Sequence, residues 1–126
     1  MARQTTQIDQ IAEAWVDKMA ELSPSFATYI GKTGNEDKLD DASPEANEQF
    51  VAESKNVLAQ LNAAKPADKV DEVTLDAMRR SLELDVELHD SGLWKRSLNV
   101  IASPAQGIRE IFDLSPTATE GDWGNL

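Results

Sequence analysis

The sequence predicts an all-α protein, an irregular bundle of about four to five helices with no substantial sheet. Three observations lead there. Apolar residues recur at spacings of three and four along most of the chain, the mark of amphipathic helices. Four of the five prolines directly follow serine, at Ser23-Pro24, Ser43-Pro44, Ser103-Pro104 and Ser115-Pro116. Alternating apolar runs, Asn-Gly hairpin turns and β-branched clusters are missing. Serine caps a helix N-terminus well, and proline is favoured at the first helical position because its missing N–H would lack a partner there anyway. Each Ser-Pro therefore closes one segment and opens a helix.

The first helix is expected from about Thr6 to Leu22. Ile8, Ile11, Trp15, Met19 and Leu22 line one face, and Thr6 with Asp9 resembles a capping box. Pro24 opens a short helix through Ile30, ended by Gly31, with Phe26, Ala27 and Ile30 inward. Residues 32–42 are polar and rich in turn formers, so they read as a loop. Ser43-Pro44 starts a helix to about Ala64, with Ala46, Phe50, Val57, Leu58 and Leu61 inside. The longest periodic segment runs from Asp71 to Ser91 and closes at Gly92. Leu75, Met78, Leu82, Val86 and Leu93 follow its inner face, which Leu84 and Leu88 are expected to widen. Leu98 to Ala102 has a brief extended character. Ser103-Pro104 then opens a helix carrying Ile108, Ile111 and Phe112. In the tail, Thr119 to Asp122 again resembles a helix cap, followed by Trp123.

Composition bounds the function. The chain has 126 residues, enough for one ordinary domain, and is read as a single helical region over residues 1–126. It carries 12 Lys and Arg against 23 Asp and Glu, a formal charge of −11. Binding to nucleic acid or to an anionic membrane needs a cationic surface, so both are excluded as partners. There is no cysteine, hence no disulfide and no thiolate chemistry. His89 is the single histidine, which rules out a two-histidine zinc site within the chain. The start has no apolar run of the signal-peptide kind, so a cytoplasmic protein is expected. Twelve leucines, six isoleucines, seven valines and three phenylalanines make up only about 22% of the residues, close to the ~20% below which highly charged chains tend to disorder. Either Ala, Met and Trp supplement the core, or something outside the segment completes it.

Few residues point to chemistry. Asp85 and His89 lie four apart on one helix face, the spacing at which a carboxylate orients an imidazole. They are the chain's weak catalytic candidates, and Glu83, Glu87 and Asp90 on the same helix make a plain polar edge the competing reading. Asp9, Glu13, Asp17 and Glu21 form an i, i+4 acidic ladder, read either as a docking face for a basic partner or as a solvated outer face. Asn35, Glu36, Asp37, Asp40 and Asp41 crowd one loop without the spacing of a calcium loop, so helix capping is expected of them. Arg79-Arg80 and Lys95-Arg96 are expected to neutralise nearby acids, for example Arg80 with Asp76. No nucleophile elbow, P-loop or dinucleotide fingerprint appears, and no cofactor or metal site is expected within the chain.

Several phrases occur together in order. The first helix leads into SPSFATYIG, the loop reads DKLDDASPEA, and the long helix reads TLDAMRRSLELDVELHDSG before LWKRSLNVIASPAQGIREIF. This ordered set, from about Ile8 to Trp123, resembles the N-terminal part of the bacterial domain-of-unknown-function family 885. Members of that family are longer, mostly helical proteins resembling zinc metallopeptidases, with a HExxPGH-like motif towards the C-terminus. Nothing in this sequence matches that motif, so no zinc or catalytic residue carries over to any position here.

The resemblance implies a non-catalytic N-terminal helical segment of a larger metallohydrolase, packing beside the catalytic domain and shaping its substrate cleft. Its expected partner is the C-terminal portion of the parent, which would hold the zinc; self-association of the segment is the further expectation. A self-standing acidic helical interaction module is the alternative.

Overall fold

The computed structural model describes residues 3–35 and 37–125. The fold is all-α: six helices and no strand among the described residues. In chain order they are α1 (Gln7–Leu22), α2 (Pro24–Tyr29), α3 (Pro44–Ala63), α4 (Lys69–Asp90), α5 (Pro104–Leu114) and α6 (Glu120–Gly124), with a short 3-10 turn at Leu93–Arg96. The chain divides into two compact units. One takes the chain through Asp17 together with Ser43–Trp94; the other takes Lys18–Ala42 together with the chain from Lys95 onward.

The first unit contains most of α1, all of α3 and all of α4. Thr6 starts α1 with the expected capping box: Asp9 N–H donates to Thr6 Oγ1 at 3.2 Å, and Thr6 N–H donates to Asp9 Oδ2 at 2.9 Å. Ser43 caps α3 by accepting from Ala46 N–H. The five residues between α3 and α4 return the chain antiparallel, so Leu61 lies beside Arg79 and Lys55 beside Asp90. Ile8, Ile11 and Trp15 of α1 are buried, as are Val51, Val57 and Leu61 of α3 and Leu75 and Leu82 of α4. Trp15 packs on Phe50, ring centroids 5.7 Å apart.

Two expectations are corrected in α4. The helix begins at Lys69, two residues before Asp71, because Asp68 is the cap and accepts from Asp71 N–H. Asp71, spaced like a first-turn acid, is instead fully buried. Leu84 and Leu88 do not widen the inner face; they are exposed. Leu84 follows Leu82 by two residues, which turns it about 200° around the helix and away from the core.

The second unit contains the last turn of α1 with α2, α5 and α6. Ala27 and Ile111 are its buried apolar residues in α2 and α5. Ser23 caps α2, accepting from Phe26 N–H at 3.1 Å. Gly31 ends that helix region at φ 75°, a left-handed conformation that glycine adopts without steric cost. No strand forms over residues 98–102, and the chain bends at 100–102. Asn99 Oδ1 accepts from the backbone N–H of Ile101 and Ala102 and folds the loop back on itself. Thr119 and Asp122 form the expected capping box, and it serves the single-turn helix α6.

Candidate functional site

Asp85 and His89 both lie half-buried on α4, but no hydrogen bond joins them among the described contacts. The imidazole instead faces its neighbour: His89 Nδ1 is 3.3 Å from Asp90 Oδ1. Lys55 Nζ reaches the same oxygen at 3.5 Å. The His89 contact, followed by the charge of Lys55, holds the Asp90 carboxyl below its ordinary range. The ring also stacks on Trp94, with planes 1° apart and centroids separated by 6.0 Å. Asp85 is pushed up by partial burial alone. This geometry ties off the end of α4, where a cation would also complement the helix dipole.

A denser polar cluster sits at the start of α1, where the sequence pattern marked only the Thr6–Asp9 cap. The Arg3 guanidinium reaches three carboxylates: Asp68 through Nε at 2.5 Å, Asp9 through Nη1 at 2.6 Å, and Asp71 through Nη2. Asp71 also accepts from the Thr6 hydroxyl and from Ala67 N–H, each at 2.8 Å. The arginine fork thereby pins the chain before α1 to the start of α4. A cationic fork satisfies a planar carboxylate better than a point charge does. Arg3 lies 65 and 68 residues from Asp68 and Asp71, so only folding shows the pairing.

The clasp is acid-sensitive in a definite direction. Hydrogen bonds from Arg3, the largest cause in both cases, hold the Asp9 and Asp68 carboxyls below their ordinary value of 3.8. The folded state therefore binds fewer protons than the unfolded one near that value. The stability conferred is complete above pH 3.8 and is lost as pH falls through the lower folded-state values. Below about pH 4, amide exchange at Thr6 and Asp9 should rise before exchange at Leu61 and Leu82. Arg3→Ala should remove that difference, and hydrogen-exchange NMR across an acid titration checks it.

In the second unit, α2, α5 and the 39–42 loop enclose an apolar groove of about 370 Å³. Leu39, Ala42, Pro104, Gly107, Ile108 and Ile111 supply its apolar wall, and Ser25, Tyr29, Asp40 and Asp41 its polar edge. The volume is that of a small ligand pocket. Each polar group is held. Asp40 accepts from Ser25 N–H at 2.9 Å and from the Ser23 hydroxyl at 2.9 Å, as well as from the Ser25 hydroxyl. It thus supports the N-terminus of α2, the capping role expected of the loop acids. Glu36 lies outside the described residues. Tyr29 donates its hydroxyl to Glu110 Oε2 at 2.6 Å, and that bond raises the phenol pKa. The groove offers an apolar seat beside fixed negative charge.

The remaining charges pair locally. In the acidic ladder, Asp9 is held by Arg3 and Glu21 by Lys18 at 2.7 Å, while Glu13 is exposed. Arg80 pairs with Asp76 at 3.1 Å as expected. Arg79 behaves differently and donates to the Leu61 carbonyl at 2.8 Å, closing the last turn of α3. Among the described residues, no three His, Cys, Asp or Glu side chains are grouped so that they could hold a metal ion. No helix among them is long and apolar enough to cross a membrane.

A search of curated proteins finds no match. A family model, described as a bacterial protein of unknown function (DUF885), matches residues 24–126. That span takes in the groove, α3, α4 and the tail, and leaves outside α1, the residues before it and Ser23. On that match, the chain belongs to the DUF885 family.

Proposed function

We propose that the chain is the non-catalytic N-terminal helical segment of a larger zinc-dependent, metallopeptidase-like hydrolase. It packs beside the catalytic domain and forms part of the wall of its substrate cleft. The zinc and the catalytic residues belong to the C-terminal portion of the parent. A cysteine-free acidic chain is consistent with a cytoplasmic home for the whole protein.

The observation that carries this reading is the apolar surface of the second unit. Leu98, Val100 and Ile101 are 79, 92 and 85% exposed. On α5 and α6, Ile108, Phe112 and Trp123 are exposed too. Isolated apolar residues at a surface are ordinary, but three at these exposures within four positions mark a contact face. The groove between α2 and α5 lies in the same unit and supplies a wall with fixed acidic groups.

Co-expression with the zinc-binding portion of a longer family member tests the reading. The two should co-purify, and the paired substitution Val100→Asp with Ile101→Asp should weaken the complex at least tenfold, since both side chains would lose their apolar cover. Peptide hydrolysis by the purified chain itself, with zinc supplied, would overturn the proposal. So would an unchanged complex with the doubly substituted chain.

A further inference from the structure

A second apolar surface belongs to the first unit and concerns α4 alone. Its inner face, through Leu75 and Leu82, is buried. Its opposite face carries Val70, Val73, Leu84 and Leu88, which are 52, 70, 53 and 37% exposed. Val70, Ala77 and Leu84 are seven residues apart, the repeat of a helix–helix seam. Val73 and Leu88 flank that line. Ala77 is small and exposed at its middle, which permits close approach of a second helix. The 22 residues of α4 extend about 33 Å, long enough for several layers of contact.

The charges along this face specify the partner. Lys69 stands at one end and Glu87 at the other, on the same edge of the seam, with Asp76 and Arg80 between them. Lys69 already contacts Glu72, and Arg80 contacts Asp76, yet all four side chains remain more than half exposed. In an antiparallel pair related by a two-fold axis, residue i of one copy meets j of the other and j meets i. Placing Lys69 against Glu87 puts Arg80 against Asp76, Val73 against Leu84 and Val70 against Leu88. The midpoints of the four pairings fall between Met78 and Arg79 inclusive: the two charge pairs at Met78, Val73 with Leu84 midway to Arg79, and Val70 with Leu88 at Arg79. Charge and apolar matching thus agree on the register to within one residue.

We propose that this face of α4 is a self-recognition surface, on which a second copy of the chain packs antiparallel about a two-fold axis near Met78. The occupant is another copy, because the face is complementary to itself in charge and in the placing of its apolar residues. The proposal stands apart from the reading of the second unit, and its test uses different residues.

Sedimentation equilibrium of the 126-residue chain is the experiment, with helical circular dichroism confirming that each variant is folded. A one-helix seam is small by interface standards, so the dimer is expected in the range of about 10–100 μM. Leu84→Glu should weaken it at least tenfold. Lys69→Glu and Glu87→Lys should each weaken it several-fold, because each places like charges together twice. The variant carrying both should recover the original affinity. An equimolar mixture of the two single variants should form a mixed dimer tighter than either alone. These exposed charges leave the core untouched, so misfolding does not blur the result. A chain that stays monomeric at 1 mM would overturn the proposal. So would a dimer insensitive to Leu84→Glu, or one lost instead with Val100→Asp and Ile101→Asp, since either places the contact elsewhere.

Discussion

Asp71→Ala is expected to destabilise the protein by about 3 kcal/mol, the effect of removing a buried carboxylate that several donors share. Asp71 is fully buried and accepts from Arg3, from the Thr6 hydroxyl and from Ala67 N–H. Alanine would leave the Ala67 N–H and the Thr6 hydroxyl without that acceptor. Arg3 keeps Asp9 and Asp68, and its side chain is one-third exposed, so its charge is not stranded. That is why the loss falls short of the largest values for broken buried pairs. For a chain of this size, the melting temperature should fall by about 10–15 °C. Asp71→Asn should recover part of it by accepting one or two of the same bonds. Thermal denaturation followed by circular dichroism separates the two variants. Equal losses in both would mean that shape, not hydrogen bonding, is what Asp71 supplies.

Trp15→Ala should cost about 4 kcal/mol, the largest single core loss expected here. Trp15 is 7% exposed and packs against Phe50, so the substitution removes an indole and leaves a cavity between α1 and α3. Trp15→Phe should cost less than half as much, because an aromatic ring still fills most of the space. Urea denaturation read at 222 nm measures both, and the slope should stay constant if the two-state transition is kept. Loss of less than 1 kcal/mol in Trp15→Ala would show that α1 contributes little to the core of the first unit.

Local chemistry was legible wherever a short segment dictates its own geometry. Thr6 with Asp9, Ser23, Ser43 and Thr119 with Asp122 all act as caps at the places their spacing indicates, because a cap is a bond between residues three positions apart. Ser103 and Ser115 are the exceptions: the Ser103 hydroxyl contacts the Gln106 side chain rather than a backbone N–H, and Ser115 ends α5, donating to the Ile111 carbonyl, with no helix opening at Pro116. Ile8, Ile11 and Trp15 were likewise readable as one buried stripe.

What was missed depends on which surfaces meet and on side-chain rotamers, neither of which spacing sets. Val51 and Ser54 are buried on α3, beside the expected Val57 and Leu61. Ser54 hides because its hydroxyl returns to the Phe50 carbonyl within the same helix, so burial leaves no bond unmade. Leu84 and Leu88 share the hydropathy of Leu75 and Leu82, and periodicity alone cannot say which of two apolar faces a neighbour will cover. The groove in the second unit draws Leu39, Tyr29 and Ile108 from three separate segments. Asp85 and His89 have the spacing of a pair, yet side-chain rotamers set the contact, and the imidazole faces Asp90 and Trp94.

The all-α class, most caps and helix positions to within about two residues therefore follow from the sequence alone, since they rest on interactions within a few residues. The family resemblance is equally a property of linear order. Only tertiary structure decided that Arg3 would gather three carboxylates across 68 positions, that Asp71 would be buried, and that α4 would bury one apolar face and leave the other open. The reason is physical: local bonds are specified by spacing, whereas burial and long-range ion pairs depend on which surfaces meet when the chain closes.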